Sequence, residues 1–94
     1  MYSKVTKIRN ISGLHARPAS DFVACAKGFS ARIKLNAVGG EDGPVNAKSI
    51  VMVLSLGLSA GTEVEVIAEG DDEEAAVDAL VSLVESGFGE ELSC

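Results

Sequence analysis

Apolar and polar residues alternate in two segments of the chain, cleanly from Ala31 to Ala37 within the segment that ends at Val38, and less regularly from Thr62 to Glu69. Their apolar positions are Ile33, Leu35, Ala37, Val64, Val66 and Ala68. A period of two puts such residues on one face of a strand, so both segments predict half-buried β-strands. We expect a further strand from Ser3 to Ile11, which mixes β-branched and basic residues, and a short one around Val45 after a glycine-rich turn at residues 39–44.

Apolar residues at helical spacing predict a helix from Pro18 to about Phe29. The proline fits a first turn, because the amide hydrogen that it lacks would have no partner there. A shorter helix is expected from Lys48 to about Leu56. Its proposed cap and stop are Asn46 or Ser49 at the start and Gly57 at the end.

The C-terminal helix has the clearest sequence signals. Asp71 and Glu74 are spaced as a capping box, and the acids of this first turn suit the positive end of a helix dipole. Gly87 and Gly89 are expected to end the helix. Its predicted apolar face consists of Val77, Leu80, Val81, Val84 and Phe88.

The resulting order of elements is strand, helix, strand, strand, helix, strand, helix. It predicts an α+β fold, in which a four-stranded antiparallel sheet is covered on one face by three helices and is open to solvent on the other. The 94 residues are 47% hydrophobic and contain no Trp, so we expect one domain over residues 1–94 with an aliphatic core. No apolar run is long enough to span a bilayer, and no signal peptide is evident, which predicts a soluble cytoplasmic protein without membrane insertion.

The charges are distributed unevenly along the sequence. All eight basic residues and three acids lie in residues 1–61, and eleven acids without a base follow in residues 62–94. The net charge of −6 argues against nucleic acid as the main partner. The basic part is expected to meet an acidic partner protein, unless the separation is incidental.

The cysteines and the single histidine argue against metal and redox sites. Cys25 and Cys94 have no metal-binding or redox spacing, and we expect both to be free thiols in a reducing compartment. With one histidine and no Cys-x-x-Cys pattern, no metal site and no cofactor are predicted.

The single histidine, His15, lies at a predicted change from strand to helix. The first amides of a helix lack helical partners and carry the positive end of its dipole, so the backbone N–H groups of Ala16 and Arg17 can hold an anion there. The same field favours a neutral, nucleophilic imidazole, and the guanidinium of Arg17 suits phosphate oxygens. Together these features describe a phosphoryl acceptor; from the residues alone, the alternative remains that His15 caps the helix and Arg17 is a surface charge.

The run from Gly13 to Ser20, Gly-Leu-His-Ala-Arg-Pro-Ala-Ser, resembles the active-site motif of HPr, the histidine-containing phosphocarrier family of the bacterial phosphoenolpyruvate:sugar phosphotransferase system. The region from Val45 to Gly57 is similar to that family's regulatory-serine region. The resemblance extends over essentially the whole chain. It implies an open-faced β-sandwich in which His15 takes a phosphoryl group on Nδ1 from phospho-Enzyme I and passes it to IIA domains of sugar permeases, with Arg17 stabilising the group.

The resemblance also implies that Ser49 is a regulatory phosphorylation site. In some relatives a bifunctional kinase/phosphorylase modifies the matching serine, and the product is a corepressor for a catabolite control protein. From its position alone Ser49 can be an ordinary helix cap. The apolar residues of the short helix cannot all be buried on a two-layer domain, so Ile50, Val51 and Leu54 are predicted to form a docking surface for partner proteins.

Three features depart from the family pattern: a longer loop at residues 39–44, Asp21 one turn after Arg17, and Met52 where a small residue is expected. The main hypothesis is a monomeric phosphoryl carrier with a covalent phosphohistidine, rather than a stand-alone enzyme. The alternatives are a relative serving a regulatory phosphotransfer chain and a non-catalytic small-molecule-binding α+β module. An acyl carrier protein is excluded, because the all-helical pattern and the Asp-Ser-Leu site are missing.

Overall fold

The computed structural model describes residues 1–9, 13–14, 16–40 and 43–89. The strands and helices follow the predicted order. They are β1 (Tyr2–Lys7), α1 (Ala16–Lys27), β2 (Arg32–Ala37), β3 (Val45–Asn46), α2 (Ile50–Ser55), β4 (Glu63–Glu69) and α3 (Glu73–Glu85), followed by a 3-10 turn, Gly87–Gly89.

The strands form one antiparallel sheet in the order β1-β4-β2-β3. β4 lies between β1 and β2, and its Val66 is aligned with Lys4 on one side and Leu35 on the other. The apolar positions of β2 and β4 point to the helices, and α3 lies over β1 and β4. The open-faced sandwich predicted by the alternation is thus confirmed.

The core is aliphatic around a single aromatic side chain, Phe22 of α1, which is fully buried. Buried aliphatic residues come from every strand except β1 and from all three helices. The largest of them are Ile8, Leu14, Leu35, Leu58, Leu80, Val53, Val64, Val66, Val77 and Val84. None of the helices within the described ranges is long and apolar enough to cross a bilayer.

Several element boundaries differ from the prediction, and α2 spans Ile50–Ser55 instead of Lys48 to Leu56. β1 ends at Lys7 and not at Ile11, and the predicted end lies outside the described residues. Ile8 still bonds across to the turn before β4, since its N–H donates to Thr62 O and its carbonyl accepts from Gly61 N. α1 begins at Ala16, so Pro18 is its third residue, a position at which a helical amide still has no partner.

The predicted capping box of Asp71 and Glu74 is wrong. The N-cap of α3 is Asp72, and its carboxylate reaches across the fold to accept hydrogen bonds from Ser30 N at 2.9 Å and Ala31 N at 2.8 Å. These backbone donors, Ser30 first, hold the pKa of Asp72 below its ordinary value. A cap that ties α3 to the loop before β2 depends on a tertiary contact, which spacing along the chain does not show.

Phe88 is the second correction in α3, because it does not extend the apolar face of the helix. α3 ends at Glu85, and Phe88 lies in the following turn with a φ of 56°, half-buried against the core. The preceding Gly87, with a φ of 75°, turns the chain out of the helix.

The charges separated along the sequence are brought together at one edge of the fold. Lys4 Nζ lies 2.8 Å from Asp78 Oδ1, and the N-terminal amine lies 3.1 Å from Glu73 Oε2. Pairing of β1 with β4 and packing of α3 on β1 make this inevitable, since the basic strand is flanked by acidic elements. Basic and acidic side chains therefore lie together at this edge, and the separation of charge along the sequence is not a separation in space there.

We predict that Asp72→Asn lowers the melting temperature at neutral pH by more than Asp71→Asn, which removes the same charge one residue earlier. The asparagine oxygen can replace only part of the pair of bonds to Ser30 and Ala31. Because the pKa of Asp72 lies below its ordinary 3.8, this stabilisation is complete above that value and is lost as the pH falls through the lowered pKa. Calorimetry should show a difference in melting temperature between the two variants at pH 7 and a smaller difference in acid. Equal melting temperatures at pH 7 would show that the hydrogen bonds from Ser30 N and Ala31 N to Asp72 do not stabilise the fold.

Candidate functional site

The segment before α1 is held against the segment that follows α2. Leu14 N donates to Leu58 O at 3.0 Å, and both side chains are buried. Gly13 has a φ of 65°, and a Cβ there would lie 2.5 Å from Leu58 O and 2.8 Å from Ser59 Cα. Only a glycine permits this approach without a shift of the backbone.

His15 lies outside the described residues, directly between Leu14 and the first residue of α1. Ala16 and Arg17 are the first two residues of this helix of 12 residues, so their backbone N–H groups belong to the turn that lacks helical acceptors. The first turn contains no acid. Its positive dipole end is therefore available to an anion next to His15.

Arg17 presents a charged side chain to solvent, with 91% of it exposed. Its Nε lies 3.9 Å from Asp21 Oδ2 one turn later, so the acid noted in the sequence pairs with this base. An exposed pair at this distance contributes about 0.3–0.5 kcal/mol in a helix. The guanidinium can thus leave Asp21 for another anion at little cost.

Ser49 is the N-cap of α2, as predicted. Its Oγ accepts a hydrogen bond from Met52 N at 3.4 Å, and the chain turns out of the helix at Gly57 with a φ of 60°. Asn46, the other predicted cap, instead accepts from Lys48 N at 2.9 Å. The hydroxyl proposed for modification therefore lies at the start of a helix, where a negative charge is stabilised.

The outer side of α2 is apolar. Val53 is buried, whereas Val51 is 71%, Met52 42% and Leu54 40% exposed. Ile50 is half-buried and, with Val23, Ala24, Ser20 and Lys27 of α1, lines a groove of about 240 Å³ between the two helices. We call Ile50, Val51, Met52 and Leu54 the α2 patch.

One of the predicted docking residues, Ile50, thus lies next to a face of α1 and lines a groove with it. In the sequence, Met52 differs from the family pattern and carries no signal that would place it on this surface. The α1 side of the groove is not predicted either, because Val23 follows the helical period of the core and shows no separate signal.

The cysteine and acidic side chains give no sign of a metal centre. Within the part of the chain that the structure describes, no group of three His, Cys, Asp or Glu residues is placed to hold a metal ion. Cys25 is a half-buried free thiol, and burial raises its pKa. Cys94 and residues 41–42 of the predicted long loop lie outside the described residues.

Known proteins with a similar sequence and a similar fold identify the family of this chain. The family model described as the PTS HPr component phosphorylation site matches residues 2–86. The phosphocarrier protein HPr of Haemophilus influenzae is 43% identical over 84 residues, covering 89% of this chain and 95% of that protein. The crystal structure of HPr from Thermoanaerobacter tengcongensis superposes with a TM-score of 0.90 at 51% identity, covering 98% of this chain and 100% of the other.

Longer proteins also contain a matching region. The multiphosphoryl transfer protein of Vibrio cholerae is 42% identical over 84 residues, which are 89% of this chain but 21% of that protein; the corresponding protein of Haemophilus influenzae is matched over 17% of its length. The fold and these matches define a phosphocarrier of the phosphotransferase-system type. The chain belongs to the HPr family.

We predict that Gly13→Ala destabilises the protein more than Gly57→Ala. Both glycines have a φ near 60°, where an alanine is strained by about 1–2 kcal/mol, but nothing lies within 4 Å of a Cβ at Gly57. At Gly13 the clash with Leu58 and Ser59 should add about 1–3 kcal/mol. Urea denaturation of both variants gives the difference, and equal losses of stability would show that the close approach at Gly13 is not a constraint.

Proposed function

We propose that His15 accepts a phosphoryl group on Nδ1 from phospho-Enzyme I and passes it to IIA domains of sugar permeases. The observation that supports this role most directly is the start of α1 immediately after His15, with an acid-free first turn and the exposed cation of Arg17. In this proposal the protein is a monomeric cytoplasmic carrier formed by one domain over residues 1–94, without a resident cofactor.

Transfer requires a nucleophilic nitrogen and support for three phosphoryl oxygens. The Nδ1 lone pair forms a bond to phosphorus as the bond between phosphorus and Enzyme I breaks, and both electrons of that bond stay with Enzyme I. The positive end of α1 favours a neutral acceptor and an anionic product. The amides of Ala16 and Arg17 and the guanidinium of Arg17 then donate hydrogen bonds to the oxygens.

The carrier must also release the group, so the stabilisation has to be modest. Arg17 is solvent-exposed and shared with Asp21, and the site is open to partners. A deeply buried arginine would hold the phosphoryl group in place. An exposed one supports it during transfer between two proteins and then returns to Asp21.

Enzyme I and the IIA domains are proposed to dock on the α2 patch and the groove between α1 and α2. Exposed apolar side chains of α2 beside the middle and end of α1 supply the buried centre of such an interface. Lys27 at the rim suits an acidic partner. Transient partners need only a small surface of this kind.

We predict that His15→Ala folds and accepts no phosphoryl group. The assay is incubation with Enzyme I and phosphoenolpyruvate followed by intact mass; the unaltered protein should gain one phosphoryl group that acid removes, as expected for phosphohistidine. Ser49→Ala serves as the matched control and should still be labelled. Labelling of His15→Ala to the same extent would overturn the proposal, as would the absence of labelling in the unaltered protein.

The same assay tests Arg17 with Arg17→Lys. Lysine keeps the charge but loses the planar, two-pronged donor, so transfer should slow several-fold while the melting temperature stays the same. Asp21→Asn frees Arg17 from its partner and should not slow transfer. Equal rates in Arg17→Lys and the unaltered protein would remove Arg17 from the reaction.

We predict that Leu54→Gln slows phosphoryl exchange with Enzyme I several-fold and leaves the fold intact. Val5→Gln is the matched control, because Val5 is 54% exposed in β1 and aligned with Glu65 of β4, outside the α2 patch. Neither substitution changes the charge, so the comparison isolates the apolar contact. Stopped-flow or quench-flow rates that fall equally in both variants would contradict docking at this patch.

Ser49 is proposed as an ATP-dependent regulatory site recognised by a serine kinase, with a catabolite control protein as a partner of the modified form. We predict that phosphoserine at this position slows acceptance at His15 and leaves the melting temperature unchanged or higher. The phosphate adds about −1.5 to −2 charges, which the N-terminal end of α2 stabilises. The same charge must lose its water when a partner covers the adjacent apolar side chains, and it repels an acidic partner. The measurement is the rate with Enzyme I of enzymatically phosphorylated protein and of Ser49→Asp.

Ser3→Asp is the control for this experiment, because it adds one charge on β1. Transfer at an unchanged rate in fully phosphorylated protein would leave Ser49 as a helix cap without the proposed regulatory role. An equal loss of rate in Ser3→Asp and Ser49→Asp would point to net charge and not to the site.

A further inference from the structure

A groove of about 370 Å³ follows the N-terminal half of β2. β3 is two residues long and pairs with β2 at Lys34 and Leu35, with one further bond from Ala47 N to Ile33 O at 3.0 Å. The edge of β2 before this point therefore has no strand beside it within the described part of the chain. The groove is lined by Ser30, Ala31, Arg32, Ile33, Lys34, Asn46 and Lys48.

The lining of this β2 groove contains three cations and no carboxylate. Arg32 and Lys34 are exposed, and within the described ranges neither has an acid at ion-pair distance, although Glu69 of β4 is aligned with Arg32. Lys4, Arg17 and the N-terminal amine have acidic partners at ion-pair distance, whereas among the described residues Lys7, Arg9 and Lys27 have none, like the cations of the groove. Three unneutralised cations around one groove suit a ligand with more than one negative charge.

Lys48 gives the groove a fixed charge. Its Nζ donates a hydrogen bond to Phe29 O at 2.6 Å, which uses one of its three donors and holds the half-buried side chain in place. An ammonium positioned in advance loses less conformational entropy when a ligand binds. Arg32 adds a planar fork that matches phosphate oxygens.

We propose that the β2 groove binds a small sugar phosphate. Its phosphate would meet Arg32, Lys34 and Lys48, and the side-chain NH2 of Asn46 offers hydrogen bonds to sugar hydroxyls. The volume is that of a small-ligand site. No aromatic side chain lines the groove, so a nucleobase would find no stacking surface, and the sugar phosphate is favoured over a nucleotide. This site is independent of the phosphoryl transfer proposed for His15.

The test is titration of the 15N-labelled protein with ribose 5-phosphate, followed through backbone amide shifts. Ribose, inorganic phosphate and AMP are the comparison ligands, since they supply the sugar alone, the anion alone and the same sugar phosphate with a base. Arg32→Gln/Lys34→Gln is the test variant, and Lys7→Gln, which removes one charge, is the matched control for the single variants Arg32→Gln and Lys34→Gln. All three side chains are exposed, so the spectra of the variants should confirm an intact fold.

We expect saturable shifts at Arg32, Ile33, Lys34 and Asn46, weaker binding at higher salt, no binding of ribose and weaker binding of inorganic phosphate. Affinity should fall by about tenfold or more in the double variant, a change of about 1.4 kcal/mol per factor of ten, and stay unchanged in Lys7→Gln. Absence of saturable shifts, shifts confined to Ala16 and Arg17, or equal affinity for inorganic phosphate would overturn the proposal. Tighter binding of AMP than of ribose 5-phosphate would overturn the choice of a sugar phosphate.

Discussion

The contact between Gly13 and the backbone of Leu58 and Ser59 is the constraint on which the arrangement of the site depends. A hydrogen bond from Leu14 N to Leu58 O and the burial of both leucines hold the chain before α1 against the chain after α2. Because no side chain fits at Gly13, the two segments approach more closely than ordinary residues would allow. The start of α1 and the exposed face of α2 therefore have a fixed relation to one another, and a partner that docks on one is aligned with the other.

The requirements of stability and of transfer are met by different faces of the same helices. α1 buries Phe22 and α2 buries Val53, whereas Arg17 and Val51 point to solvent. The features proposed to act on phosphoryl groups, namely a helix start, an exposed guanidinium and a capping serine, contribute little to the core. We therefore expect that modification or docking at these features leaves the fold intact. This is the behaviour that a carrier between two proteins requires.

The sheet could be predicted from the sequence because one of its faces is buried, so that Val64, Val66 and Ala68 occupy every second position of β4. The cap of α2 could also be predicted, since Ser49 and its hydrogen-bond donor Met52 N are only three residues apart in the sequence. Asp72 was missed because its partners, Ser30 and Ala31, are distant in sequence and outweigh local capping by Asp71. Charge was misread for the same reason: the basic and acidic segments become neighbours only when β1 pairs with β4. The β2 groove gave no signal, because Arg32 and Lys34 follow the solvent-facing period of an ordinary strand.

The central claim is that the first turn of α1, together with Arg17, receives the phosphoryl group. The most direct measurement compares 15N-1H spectra of the free and the phosphorylated protein. The account predicts that the largest amide shifts fall on Ala16 and Arg17, with small changes in β4 and α3. A phosphorylated protein in which these two amides keep their positions, while the largest shifts occur in another element, would contradict it.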